Sequence, residues 1–191
     1  MAIKTVGPWQ CLDSDVVYEN PWISVRHENV ITPGNTAGIY GVVHFKGTAV
    51  GVLPIDDEGN TWLVKQTRYT LDCETYEIPE GGAAPGEKTI DCARRELKEE
   101  VGLEAADIQY LMTLHLSNSV TDEAADIFVA KGLTQGAVAH EATEDITVLK
   151  LPFKEALAMT LNGEITDAIS VAAIQRVTLM GYAAELGIKF P

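Results

Sequence analysis

The chain is poor in cysteine and in positive charge, and it has no long apolar run. Its three cysteines, Cys11, Cys73 and Cys92, are scattered through 191 residues. An odd count without close pairing excludes a disulfide framework and a thiolate metal site, and it points to reduced thiols in a cytoplasm. Apolar stretches fall far short of the ~20 residues that span a bilayer. The N-terminal segment MAIKTVGPWQ has no apolar core of the kind a secretory signal needs. Lys and Arg together number 14 against 28 Asp and Glu, a formal net charge of −14. That balance argues against nucleic acid and anionic membranes as partners. An anionic small-molecule substrate would need local neutralisation by metal, Arg or Lys. Internal repeats and low-complexity segments are also absent. With 46% hydrophobic residues, the chain reads as a globular protein of one domain, or of one domain with a small appendage.

What is present is concentrated in residues 81–103, GGAAPGEKTIDCARRELKEEVGL. A glycine turn leads into a helix expected from about Lys88 to Val101. At about 100° per residue, Glu96, Glu99 and Glu100 span about 100° of its circumference. Ile90, Ala93, Leu97 and Val101 occupy the adjacent arc and form a core face. Like charges one turn apart cost a helix roughly 0.2–0.5 kcal/mol per pair, and the helix dipole repels anions at its C-terminal end. A hard divalent cation held by carboxylate oxygens reverses that sign. Gly102 followed by Leu103 suits a left-handed helix stop with an apolar clasp.

Around this helix the pattern predicts strands at Asp15–Val17, Trp22–His27, Ile39–Phe45, Ala49–Ile55, Trp62–Gln66 and Glu74–Ile78. Further strands are expected at Ile108–Leu116, Asp126–Gly132 and Ile146–Leu151. Helices follow from Pro152 to Leu161 and from Asp167 to Leu186. Strands that do not strictly alternate with helices indicate α+β, with a mixed sheet between helices. Residues 1–45 read as a small antiparallel β unit, and residues 46–191 as the main domain, which carries this helix.

The spacing is Gly81, five residues, Glu87, seven residues, Arg95-Glu96-Leu97, one residue, Glu99-Glu100, one residue, Gly102-Leu103. It resembles the Nudix box in full. Gln66-Thr67-Arg68-Tyr69, Tyr76–Gly82, Ser117–Glu123 and Glu141–Ile146 resemble segments of the ADP-ribose and nucleoside-diphosphate-sugar pyrophosphatase branch of the Nudix hydrolases. The resemblance implies an α/β/α sandwich and hydrolysis of a nucleoside diphosphate sugar, with Mg²⁺ or Mn²⁺ as cofactor. It also implies a homodimer in which residues 1–45 contribute to the nucleotide site. Another nucleoside diphosphate conjugate, such as a dinucleotide, is the alternative substrate. A catalytically silent nucleotide sensor is the alternative outside enzymes.

By that resemblance Glu96, Glu99 and Glu100 are metal ligands, joined by the backbone carbonyl of Glu80. Arg95 is expected to pair with Glu99, and Glu87 to be structural. The general base falls in the loop carrying Glu141 and Glu144. Glu144 matches a position that binds metal in relatives, which makes Glu141 the better base. Arg68 has two open readings: a phosphate ligand, or an internal ion pair with Glu77 or Glu80. Trp22 and Arg26, at i and i+4 on one proposed edge strand, share a face. They could grip a base and a phosphate, or simply pack. Cys92 faces the acidic side without a partner base.

Overall fold

Residues 4–136 and 145–185 are described in the computed structural model, with side chains of the last helix described through residue 181. The chain divides into two compact units. One is Met1–Thr48 with His115–Ala124, and the other is Ala49–Leu114 with Ala125–Pro191.

The first unit is an antiparallel sheet of β1 (Lys4–Val6), β2 (Trp9–Glu19), β3 (Ile23–Ile31) and β4 (Ala37–Phe45), in that order. Two expectations are corrected here. Trp22 lies just before β3 rather than in it, and β3 is an interior strand rather than an edge. The physical reason is a turn. Oδ1 of Asn20 accepts the N–H of Trp22 at 2.9 Å and of Ile23 at 2.8 Å, with Pro21 in between, so the chain bends until Ile23. A segment from mid-chain completes this unit. The Val43 N–H donates to the Val120 carbonyl at 2.9 Å, and the Asp122 N–H donates to the Val43 carbonyl at 3.2 Å. The Tyr40 hydroxyl donates to the Ser119 carbonyl at 2.6 Å. Val16, Tyr18 and Ile39 remain exposed on this sheet.

The second unit contains β5 (Thr48–Pro54), β6 (Asn60–Arg68), β7 (Cys73–Glu77), β8 (Glu80–Ala83), α1 (Thr89–Val101), β9 (Leu103–His115) and β10 (Ala124–Gln135). After them come β11 (Thr147–Pro152), α2 (Phe153–Asn162) and α3 (Ala168–Glu185). One sheet runs β8-β5-β10-β9 and the other β11-β6-β7. β5 and β10 are parallel, whereas β6 pairs antiparallel with both β7 and β11. The α+β class with a mixed sheet is therefore what the chain adopts.

Alternation along β5 explains the layering. Val50 and Val52 point into a core with Trp62, Val64, Leu97 and Phe128. Gly51 faces the other way. A Cβ there would come within 2.5 Å of Ile169 on α3, so glycine lets that helix lie against the strand. One face of the sheet thus receives α1 and the other α3. β5 is buried from Val50 to Pro54, as a strand covered on both sides must be. Helix α1 stops where expected: Gly102 is left-handed at φ 66°, and its N–H reaches the carbonyls of Leu97 and Lys98.

Candidate metal centre and active site

Helix α1 brings its three acids to the stretch where β7 ends and β8 begins. Glu96 and Glu100 are buried, at 6% and 2% exposure, and sit beside Cys92, Ala93 and Leu97 on the inward side. Glu99 lies at the rim, with 31% of its side chain exposed. The N–H of Glu80 donates to Oε2 of Glu100 at 2.9 Å. A Cβ at Gly81 would collide with the Glu96 carboxylate, so glycine is needed for that close approach.

Arg95 orders this acidic face. Its Nη1 donates to Glu96 at 2.6 Å and to Glu99 at 3.0 Å. Its Nε donates to Glu87 at 3.1 Å, and its Nη2 donates to the Gly82 carbonyl at 3.2 Å. The expected Arg95–Glu99 pair is present as one of several. Glu87 also accepts the N–H of Ala84 at 2.9 Å, which fits a structural role. The bonds to Glu87, together with the charge of Glu96 and the bond to Glu99, raise the Arg95 pKa further despite burial. Arg95 therefore stays a cation. Burial pushes the Cys92 thiol up to about 12, and the charge of Glu96 adds to it. A thiol so disfavoured as thiolate is no nucleophile.

Behind the backbone of β8 stands a second acidic group. Carboxylate oxygens of Glu77, Glu80 and Asp167 lie within 4.8 Å of one another. Arg68 serves two of them, bonding Glu77 through Nε at 2.8 Å and Glu80 through Nη2 at 2.5 Å. Of its two open readings, the ion pair is the arrangement present. Burial drives the Glu80 carboxyl well above the usual carboxylate range, and Asp167 and Glu77 add to this against the pull of Arg68. Oε2 of Glu80 is buried without a hydrogen-bond partner.

Glu77 and the side chains of Glu80 and Asp167 were not among the site residues expected from sequence. From sequence Asp167 is only the start of the last helix; in the structure it caps α3, its Oδ2 accepting the N–H of Ser170 at 2.7 Å. Glu141 and Glu144 lie outside the described residues. Trp22 is 74% exposed. Arg26 donates from Nε to Glu28 at 3.1 Å. It also lines a cavity of about 360 Å³ inside the first unit, with Trp9, Tyr40, Val42, Ser119 and Asp122.

The donor set suits a hard divalent cation. It consists of oxygen alone: the buried carboxylates of Glu96 and Glu100, that of Glu99 at the rim, and the Glu80 backbone drawn against them. Glycine at position 81 lets the Glu96 carboxylate lie directly against that backbone.

Residues 45–172 match the NUDIX domain, and residues 9–43 match the nucleoside diphosphate sugar hydrolase N-terminal domain. The chain belongs to the Nudix hydrolase family. It is 32% identical over 172 residues to an ADP-ribose pyrophosphatase of Mycobacterium tuberculosis, covering 88% of this chain and 83% of that one. It is likewise 32% identical over 165 residues to an ADP-ribose pyrophosphatase of Bacillus subtilis, covering 85% and 89%. A solved ADP compounds hydrolase shares the fold, with a TM-score of 0.83 at 21% identity over 95% of this chain and 98% of that one.

Proposed function

We propose that this protein is a cytoplasmic hydrolase of the diphosphate bond of a nucleoside diphosphate sugar, ADP-ribose or an NDP-hexose. The products are a nucleoside monophosphate and a sugar phosphate. The cofactor in this reading is Mg²⁺, with Mn²⁺ as a substitute. The observation that carries the reading is the closure of the Glu80–Gly82 backbone onto Glu96, Glu100 and Arg95. Two relatives named ADP-ribose pyrophosphatase support the substrate class. So does the match of residues 9–43 to a nucleoside diphosphate sugar hydrolase domain.

Glu96, Glu99 and Glu100 would hold the cation together with the Glu80 carbonyl, and Glu144 would add to them. Such a cation would supply Lewis-acid chemistry there, offsetting the charge of the diphosphate and favouring deprotonation of water. Arg95 keeps Glu96 and Glu99 aimed by donating to both from one nitrogen. Glu141 takes the proton of the attacking water as general base. Among the described residues no helix is long and apolar enough to cross a membrane. Residues 1–45 serve dimerisation and substrate contact in this reading, with Trp22 and Arg26 as the contacts. The exposure of Val16, Tyr18 and Ile39 on their sheet supports a homodimer.

Turnover of a panel of nucleotide sugars, dinucleotides and nucleoside triphosphates with Mg²⁺, with products identified, tests the reading. A nucleoside monophosphate and a sugar phosphate are the expected products. Cleavage of triphosphates alone would sink the substrate class. Nucleotide binding without turnover across Mg²⁺ and Mn²⁺ would favour a silent sensor.

A further inference from the structure

We propose that Ser170, in the first turn of α3, is a positioning residue for the cation site. Its hydroxyl holds the Ile78 N–H, and through the stiff Ile78-Pro79 step it sets the Glu80 backbone against the acids of α1. The proposal rests on the cation-dependent reading above.

The need for Ser170 begins in the sequence. Strand β7 pairs with β6 as far as Glu77, opposite Val64. Ile78 is the next residue and is fully buried. Its N–H lies beyond the ladder, and a buried backbone donor has to find an acceptor elsewhere. Pro79 follows and has no N–H to offer. The acceptor is Oγ of Ser170, at 2.9 Å and 92 residues further along the chain.

Ser170 is itself fixed from two sides. Its own N–H donates to Oδ2 of the capping residue Asp167 at 2.7 Å. Its neighbour Ile169 lies so close to β5 that a Cβ on Gly51 would come within 2.5 Å of it and within 3.1 Å of Ile78. The bare backbone at Gly51 therefore lets the start of α3 come down onto Ile78. A serine inside a helix usually turns its hydroxyl to solvent or to its own helix. This one is fully buried and closes off the end of a strand.

The bond acts on the site because little slack separates it from Glu80. Proline fixes its φ at about −65°, and the residue before it is confined to extended backbone. A shift at Ile78 is therefore carried to Glu80 rather than absorbed on the way. Glu80 supplies the carbonyl assigned to the cation, and its N–H donates to Oε2 of Glu100, a second assigned ligand, at 2.9 Å. The Pro79 carbonyl accepts the N–H of Val52 on β5 at 2.9 Å. Successive backbone groups are thus tied to α3, β5 and α1. Ser170 is the side chain among these ties that is not itself a ligand.

The test is Mn²⁺ binding to the full chain without substrate, read by electron paramagnetic resonance. Ser170→Ala removes the acceptor. Met159→Ala, which truncates a buried side chain of α2, is the control for lost stability. Groups that support a metal ligand set its affinity by about 10–100-fold. At a temperature where both variants are folded, Ser170→Ala is expected to weaken Mn²⁺ binding by about tenfold, and Met159→Ala by less than about threefold. Equal weakening in both, or a change below about threefold in Ser170→Ala, overturns the proposal.

A second measurement uses the parent protein and decides alone if Ser170→Ala does not fold. Coupling is reciprocal: if the Ser170 bond favours the cation, the cation favours the bond. On saturation with Mg²⁺, hydrogen exchange of the Ile78 amide, followed by NMR, is expected to slow about tenfold more than that of the β11 amides. Equal slowing overturns the proposal. A parent protein that binds no Mn²⁺ overturns the cation reading and the proposal with it. Mn²⁺ binding that is equally tight in the parent and in Ser170→Ala overturns the proposal alone. Neither readout uses substrate, so failure of the proposed substrate class leaves both standing.

Discussion

Glu80 and Glu100 are joined by one hydrogen bond, from the backbone N–H of Glu80 to Oε2 of Glu100 at 2.9 Å. The bond links the first residue of β8 to the last full turn of α1. It uses one oxygen of a buried carboxylate to fix a backbone whose next residue, Gly81, already touches Glu96. Two acids that a helix alone would hold apart from any partner are thereby given a wall to work against.

Gly81→Ala tests that wall. A Cβ at this position meets the buried Glu96 carboxylate, and overpacking of this kind costs about 1–3 kcal/mol. Displacing a reacting group by an ångström costs ~10²-fold in rate. The expected outcome is a stable but nearly inactive protein. Urea unfolding and turnover measured on the same preparation check it, and near-normal turnover would contradict it.

Glu100→Gln separates charge from shape. Glutamine keeps an acceptor for the Glu80 N–H and removes the negative charge. Loss of a ligand to a catalytic cation, worth several kcal/mol of charge stabilisation, lowers kcat by ~10²–10³-fold. Chelation of divalent cations should abolish turnover of the parent protein, and added Mg²⁺ should restore it. Activity that survives chelation would remove the cation from the mechanism.

Glu141→Gln is expected to lower kcat by ~10²-fold or more, the low end for a general base. The residue lies outside the described part of the chain, so this prediction rests on the resemblance of residues 141–146 to the family's acidic loop. Near-normal kcat would pass the role to Glu144.

Asp56 gives a prediction about acid stability. Its carboxylate accepts the N–H of Glu58 at 3.0 Å and of Asn60 at 2.7 Å, and it pairs with Lys150 at 3.0 Å. Burial opposes ionisation, but the bonds from Asn60 and Lys150 prevail and hold its pKa well below the ordinary 3.8. A carboxyl with a lower pKa folded than unfolded contributes stability above the unfolded value, and that contribution is lost as pH falls below it. Asp56→Asn should therefore have a lower Tm at neutral pH and a shallower loss of Tm from about pH 5 to about pH 2. Circular dichroism melts across that range measure it. Parallel curves would show that Asp56 does not titrate with folding.

Much of the second unit is legible in the sequence. The helix expected over Lys88–Val101 forms over Thr89–Val101 and ends on Gly102, because periodicity and a glycine stop are local signals. Buried strand β5 is equally plain as an apolar run. β8 is not: Glu80–Ala83 carries two glycines after a proline, and only pairing with β5 makes it a strand. Trp22 stays outside β3 because the Asn20 turn outweighs the strand-forming residues that follow it. The membership of His115–Ala124 in the first unit depends on bonds to β4, far away in sequence.

The sequence by itself determined that Glu96, Glu99 and Glu100 share one helix face, since 3.6-residue periodicity is a property of neighbours along the chain. It also determined the family, through the spacing of the box. Only the tertiary structure decided what those acids face. It set Glu100 on the Glu80 backbone, pressed Glu96 onto Gly81 and paired Arg68 with Glu77 and Glu80. Buried polar groups must find partners wherever packing brings them, and no pattern along the chain records which partner that is.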